Sequence, residues 1–241
     1  MDDRVREHAE TLVGWSARIE PGDDVVVDVA EGAHELAVAV AERLGEVGAT
    51  MTVTYGSDEV TRAYLRAHDG EFGTAAGELA LFERADAYLR LGGGRNTAAT
   101  ADVESGTRQA YRSARTDLRE ARMDTDWVSA VHPPRSLAQG AGMAYEEYRE
   151  FVYDAVLCDW EALAGKMARV KELLDSGEEV RIVTEREDRP STDVRMSIAG
   201  RTAVNSAASV AYDSHNLPSG EVFTAPYDTT GQVFFDVPMT V

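Results

Sequence analysis

Carboxylates on rigid backbone and histidines are the side chains from which this chain could assemble hydrolytic chemistry. The segment His215-Asn216-Leu217-Pro218-Ser219-Gly220-Glu221-Val222-Phe223-Thr224-Ala225-Pro226 sets one such carboxylate, Glu221, directly after a Pro-Ser-Gly turn. Pro and Gly fix the backbone on one side of it, and Val-Phe-Thr favours a strand on the other. A glutamate held in this way can ligate a metal or act as a catalytic acid. It can equally be a solvated strand-end residue. Just upstream, Asp213, Ser214 and His215 are the residue types of a nucleophilic triad. Adjacency in sequence does not give the converging geometry a triad needs, and the chain has no Gly-x-Ser-x-Gly elbow.

The five histidines, His8, His34, His68, His132 and His215, show no metal-ligand spacing such as His-x3-His. Taken singly, each reads as a surface or satisfied core residue. Gly92-Gly93-Gly94-Arg95-Asn96-Thr97 follows an expected strand, where α/β proteins often bind ligands. It lacks the Lys-Ser/Thr of a phosphate loop and does not fit the dinucleotide fingerprint. The better reading is a tight strand-to-helix turn, with a small-ligand site as the minor alternative. Cys158 is the only cysteine, which excludes an intrachain disulfide and a cysteine-based zinc site. It lies in an apolar helical pattern and is expected to be a buried packing thiol.

The elements that position these residues follow from apolar spacing. Val5, Ala9, Leu12 and Val13 recur at helical intervals, so the chain opens on an amphipathic helix over Arg4 to Trp15. Strands are expected at Val25–Val29, Met51–Tyr55, Asp86–Leu91 and Trp127–Val131. Between them lie helices carrying Leu36, Val40, Leu44 and Val47, then helices near Glu59–Ala67, Gly77–Ala85 and Thr107–Arg122. Strands alternating with helices predict a parallel sheet with helices on its faces. The longest expected helix runs from Met143 to Ser176, its stripe passing through Tyr148, Val152, Val156, Trp160, Leu163 and Met167. After Gly177 the texture changes. Val180–Thr184 and Val194–Ile198 read as a hairpin-like pair, and Gln232–Val237 as a further strand. The expected organisation is α/β: an N-terminal parallel-sheet domain over residues 1–177, then the start of a smaller β-rich, α+β domain over 178–241.

Charge narrows the partners. The 241 residues carry 43 Asp and Glu against 24 Lys and Arg, a formal net of -19, and the only lysines are Lys166 and Lys171. Such a surface repels itself in dilute buffer and is screened at high ionic strength. Because the charge is spread along the chain, it reads as adaptation to a salt-rich cytoplasm, with an acidic interaction surface as the alternative. No basic stripe is available for nucleic acid. No run approaches the about 18 apolar residues that would span a bilayer, and Met1-Asp2-Asp3-Arg4 lacks the features of a secretory leader. A cytoplasmic protein is expected.

The segment Asn216 to Pro226 resembles a signature of the aminopeptidase T family of metallo-aminopeptidases. Arg18-Ile19-Glu20-Pro21-Gly22-Asp23-Asp24-Val25-Val26-Val27, Gly142-Met143-Ala144-Tyr145-Glu146-Glu147-Tyr148 and the Gly200-Arg201 step are similar to that family as well. The resemblance covers the N-terminal part of the family. It implies an exopeptidase that removes N-terminal residues from peptide substrates with a pair of divalent metals, and it implies homodimers. It makes Glu221 a metal ligand and places no catalytic base on this sequence. Carboxylates with imidazoles suit zinc, cobalt or manganese without choosing among them. The family's other ligands come from segments downstream of this glutamate. Here only 20 residues follow Glu221 (241 minus 221), with Asp228 and Asp236 as their only carboxylates and no His. The expectation is therefore the N-terminal α/β domain plus the opening of the catalytic domain, a truncated enzyme. The alternative is a non-catalytic α/β binding or dimerisation module.

Overall fold

The computed structural model describes residues 1–185, 187 and 190–236. In chain order the first elements are α1 (Asp3–Glu10), β1 (Asp24–Ala30), α2 (His34–Val47), β2 (Thr50–Gly56), α3 (Asp58–Ala67), α4 (Ala76–Phe82), β3 (Ala87–Gly92), α5 (Ser105–Ser113), α6 (Thr116–Met123) and β4 (Asp126–Val131). Then come α7 (Arg135–Gly140), α8 (Tyr145–Val156), α9 (Trp160–Ser176), β5 (Glu179–Thr184), β6 (Thr192–Ser197), β7 (Val204–Ser206), β8 (Asn216–Leu217), β9 (Glu221–Phe223) and β10 (Tyr227–Gln232). Packing gathers these into two compact units. One comprises Met1–Trp160 with Ala208–Ser219, the other Glu161–Ala207 with Gly220 onward.

In the first unit the strands lie in the order β2-β1-β3-β4-β8, every neighbouring pair parallel. Consecutive valines explain why β1 lies inside the sheet. Val25, Val26, Val27 and Val29 are all buried, which suits a strand covered on both faces and no other position. The helix α2 stops where Gly48 takes a left-handed φ of 86° and its N–H bonds the Leu44 carbonyl. On one face Phe82 meets Tyr88 edge to face at 5.1 Å, with Val26 and Leu118 completing the cluster. Burial of apolar side chains such as Val26, Phe82 and Leu118 contributes about 1.5–3 kcal/mol each. The guanidinium of Arg122 covers the Phe82 ring at 4.8 Å and shares Glu78 with Arg115.

The expected α/β class is what the structure has, with five corrections. The Met143–Ser176 helix is two helices. At Leu157 the backbone leaves helical dihedrals (φ -97°, ψ 19°), and the Trp160 indole N–H reaches back 2.8 Å to the Val156 carbonyl, satisfying an end-of-helix acceptor. Cys158 falls in this break, half-buried, and not inside a helix. The Thr107–Arg122 helix is likewise divided at Arg115 (φ -114°, ψ 21°), where the Thr116 hydroxyl donates to the Ser113 carbonyl. At its C-terminal end α1 widens into a π-helical turn over Thr11–Ser16, with Ala17 N–H bonded to Leu12 O. Of the strand expected over Gln232–Val237 only Gln232 is strand, residues 233–236 being irregular; the strand formed here is β10, which ends at Gln232. Its ladder runs out because its partner β6 starts at Thr192, one residue before the Gln232↔Asp193 pair. Val237 lies outside the described residues.

In the second unit β5 and β6 form the expected antiparallel pair, from Glu179↔Ser197 to Thr184↔Thr192, with β10 on the far side of β6. A separate two-stranded ladder joins β7 to β9. The packing and the expected division after Gly177 differ over two stretches. Residues 161–177 pack with the second unit because Ala164 O accepts from Asn205 Nδ2 (3.2 Å) and Asp175 from the Ala203 N–H (2.7 Å). Residues 208–219 return to the first unit because β8 adds to its sheet beside β4.

Candidate functional site

Glu221 opens β9 opposite Ser206, and its side chain is exposed. The turn before it is built by residues that leave little freedom. Leu217–Pro218 is a cis peptide, and Gly220 sits at φ 114°, a conformation that favours glycine. The Gly220 N–H bonds the Ser206 carbonyl at 2.9 Å, so the glutamate is presented from hydrogen-bonded backbone. One residue along, Asn205 is buried, its Nδ2 spent on Ala164 O and its Oδ1 left without a partner. Among the described residues no three His, Cys, Asp or Glu side chains come together in a way that could hold a metal ion. A metal pair needs several carboxylates and imidazoles, one of them bridging. The described donor set does not fit one.

The neighbouring Asp213-Ser214-His215 is not a triad. His215 stacks on Trp127 at 4.3 Å, and its Nδ1 donates to the Trp127 carbonyl at 2.8 Å. Asp213, at left-handed φ 55°, approaches Nε2 at 3.3 Å. The Ser214 hydroxyl donates instead to that of Ser219, 3.4 Å away. His215 is thus a tie to β4 backbone.

The other histidines are dispersed. His34 bonds the Tyr55 hydroxyl (2.8 Å), and His68 stacks on Phe72 (4.1 Å). His8 is fully buried with both ring nitrogens unpartnered. Burial, and secondarily the charge of His132, pushes its pKa down to about 3. His132 is also buried and shifted down, chiefly by desolvation, with Glu35 opposing and Arg149 adding to the shift. Both are neutral near pH 7. Burial likewise pushes the Cys158 thiol up, which opposes a nucleophilic role.

The glycine run after β3 does more than turn the chain toward a helix, since α5 begins only at Ser105. The Gly32 N–H, at the end of β1, bonds the Gly93 carbonyl at 2.9 Å. A Cβ on Gly32 would lie 2.1 Å from that oxygen. Beside this contact lies a hollow of about 490 Å³ lined by Glu31, Asp58, Glu59, Arg62, Arg95 and Asn96. Sequence reasoning points to the glycines and misses their companions, because the segment after β1, the start of α3 and the segment after β3 supply the lining and none carries a local signal.

A parallel-sheet α/β unit, a β-rich second unit and a glutamate on a Pro-x-Gly turn are the features that the resemblance to the aminopeptidase T family implies. The family model described as thermophilic metalloprotease (M29) matches residues 1–241, and the chain belongs to that family. Among solved structures it is similar to wild-type AmpT from Thermus thermophilus, with 21% identity and a TM-score of 0.73. The match covers 95% of this chain and 63% of that one, so this chain spans less than two thirds of that relative's length. Similarity to the apo cysteine desulfurase of Thermococcus onnurineus NA1 is remote (11% identity, TM-score 0.30, 53% of this chain and 26% of that one) and carries no argument. No curated protein matches.

Proposed function

We propose that this chain is the N-terminal part, with the opening of the catalytic domain, of a metal-dependent aminopeptidase that releases N-terminal residues from peptides. Family membership over residues 1–241 carries the reading. Glu221 is then one ligand of a divalent pair of zinc, cobalt or manganese, and its place on a hydrogen-bonded strand end supports that role. One carboxylate cannot hold such a pair. The chain contributes an acceptor oxygen on fixed backbone, and the other ligands lie outside the described residues.

Homodimers belong to the same reading. The edge strand β2 offers Met51, Val53 and Tyr55 exposed in alternation, a surface suited to a second copy. The acidic, lysine-poor composition supports a salt-rich cytoplasm as the setting. Among the described residues no helix is long and apolar enough to cross a membrane.

Hydrolysis of aminoacyl-p-nitroanilides with added zinc, cobalt or manganese tests the proposal. Turnover is expected when the downstream part of a family member is supplied, and is expected to be lost in Glu221→Ala. Robust turnover by the 241-residue chain alone would overturn the idea that it is incomplete. The lack of a three-donor cluster among the described residues favours one other reading, a non-catalytic binding or dimerisation module. That reading predicts a stable dimer by light scattering in high salt and no activity after supplementation.

A further inference from the structure

The strand order β2-β1-β3-β4-β8 reverses direction between β1 and β3. In open parallel sheets, ligands bind outside the carboxyl ends of the strands at such a reversal. Here the loops leaving β1 and β3 meet through the Gly32–Gly93 backbone contact. Gly94 leaves room for Asp58, whose Oδ2 would lie only 3.0 Å from a Cβ at that position. Two hollows, of about 490 and 340 Å³, share Arg95. Each lies within the about 300–1,000 Å³ usual for small-ligand sites.

Their linings are of opposite character. The smaller hollow has Arg95 and Arg135 beside Pro133, Pro134 and Tyr145, with the Arg135 guanidinium 4.1 Å over the Tyr145 ring. Ser136 closes its floor by donating to the Gly94 carbonyl at 2.5 Å. Neither arginine has a carboxylate partner among the described residues. The larger hollow carries Glu31, Asp58 and Glu59. Among the described residues Glu31 and Asp58 have no cationic partner, and Glu59 feels the charge of Arg62, which is itself bound to Asp102 through Nε at 2.7 Å. A guanidinium pair backed by an aromatic ring suits a planar carboxylate. Three carboxylates nearby repel phosphates and nucleotides and attract an ammonium group.

We propose that this crevice binds a zwitterion of short-peptide size, its carboxylate at Arg95 and Arg135 and its ammonium toward Asp58 and Glu59. The choice of peptides over other zwitterions rests on the peptidase reading, whose substrates and products carry these two ends. The site belongs wholly to the first unit and does not involve Glu221.

Titration of the chelator-treated full chain with leucylglycine, followed by calorimetry or amide chemical shifts, tests the proposal. Saturable binding is expected, weakened at least tenfold by N-acetylation, by C-terminal amidation, or by Arg135→Ala, an exposed position whose loss spares the core. Free leucine is the second arm, and the tighter of the two probes identifies the source of the ligand. Glu221→Ala is expected to leave this binding unchanged. The crevice and the metal-ligand assignment can therefore fail separately. No saturable binding, equal binding of the acetylated peptide, preference for inorganic phosphate, or binding indifferent to Arg135→Ala would each overturn the proposal.

Discussion

The two units put similar side chains to opposite uses. In the first, Leu89, Leu91 and Val128 on neighbouring strands are fully buried. In the second, Ile182 and Val183 on β5 are 48% and 45% exposed, and Phe223 and Phe235 are 50% and 60% exposed. Parallel strands joined by helical crossovers acquire a helix layer on each face as a consequence of their connection. Antiparallel pairs such as β5–β6 are joined directly and acquire no such cover. The first unit is therefore stabilised by its core. The second holds its register largely through backbone ladders and exposed ion pairs, among them Arg181 with Asp193 at 2.8 Å.

The largest expected effect follows from that contrast. Leu89→Ala should cost about 2–5 kcal/mol in denaturant unfolding at high salt. Ile182→Ala, on the exposed strand, should cost less than about 1 kcal/mol. Equal losses would break the comparison.

Next in size is a pH effect confined to the first unit. His8 has a folded pKa pushed down to about 3, against about 6.5 in an unfolded chain. The unfolded state therefore binds the proton first as pH falls, and stability present above pH 6.5 is lost progressively down to about pH 3. Between pH 6.5 and 5 the loss from this group should be about 2 kcal/mol (1.5 pH units at 1.36 kcal/mol each). His132, shifted the same way, adds to it. Unfolding midpoints across this range should show the slope in the native chain and a shallower one in His8→Leu.

Smaller still is the cap of α1. Asp2 accepts from the Arg4 N–H at 3.1 Å and pairs with Arg4 and Arg149. Asp2→Ala should cost about 1 kcal/mol, read as a lowered melting temperature. At the bottom of the scale, Arg181→Ala in the second unit should lower the melting temperature only slightly in dilute buffer and not measurably in molar salt.

How far the sequence reveals this molecule depends on whether the relevant signal is local. The valine run of β1 and the Gly48 helix stop are local, and both are legible. The break between α8 and α9 is not, because Val152, Val156, Trp160 and Leu163 keep helical phase straight across the residues that leave the helix. The same is true of β8, whose two residues are too few to show alternation and join the sheet only through Ser129↔Asn216 and Ala130↔Leu217. For the proposed site, the turn that presents Glu221 is legible through the Pro and Gly before it, and the role of the side chain is a proposal. The structure adds that its immediate histidine is tied to Trp127 and its serine turned away. The crevice at the ends of β1 and β3 is written in loops and helix starts far apart in sequence, and only the fold assembles it.

Glu221 is proposed as a metal ligand whose partners lie outside the described residues. Titration of zinc, cobalt and manganese into the chain and into Glu221→Ala measures this. Weak divalent binding that the substitution abolishes is the predicted result. Binding that is tight, or that survives the loss of Glu221, would contradict it.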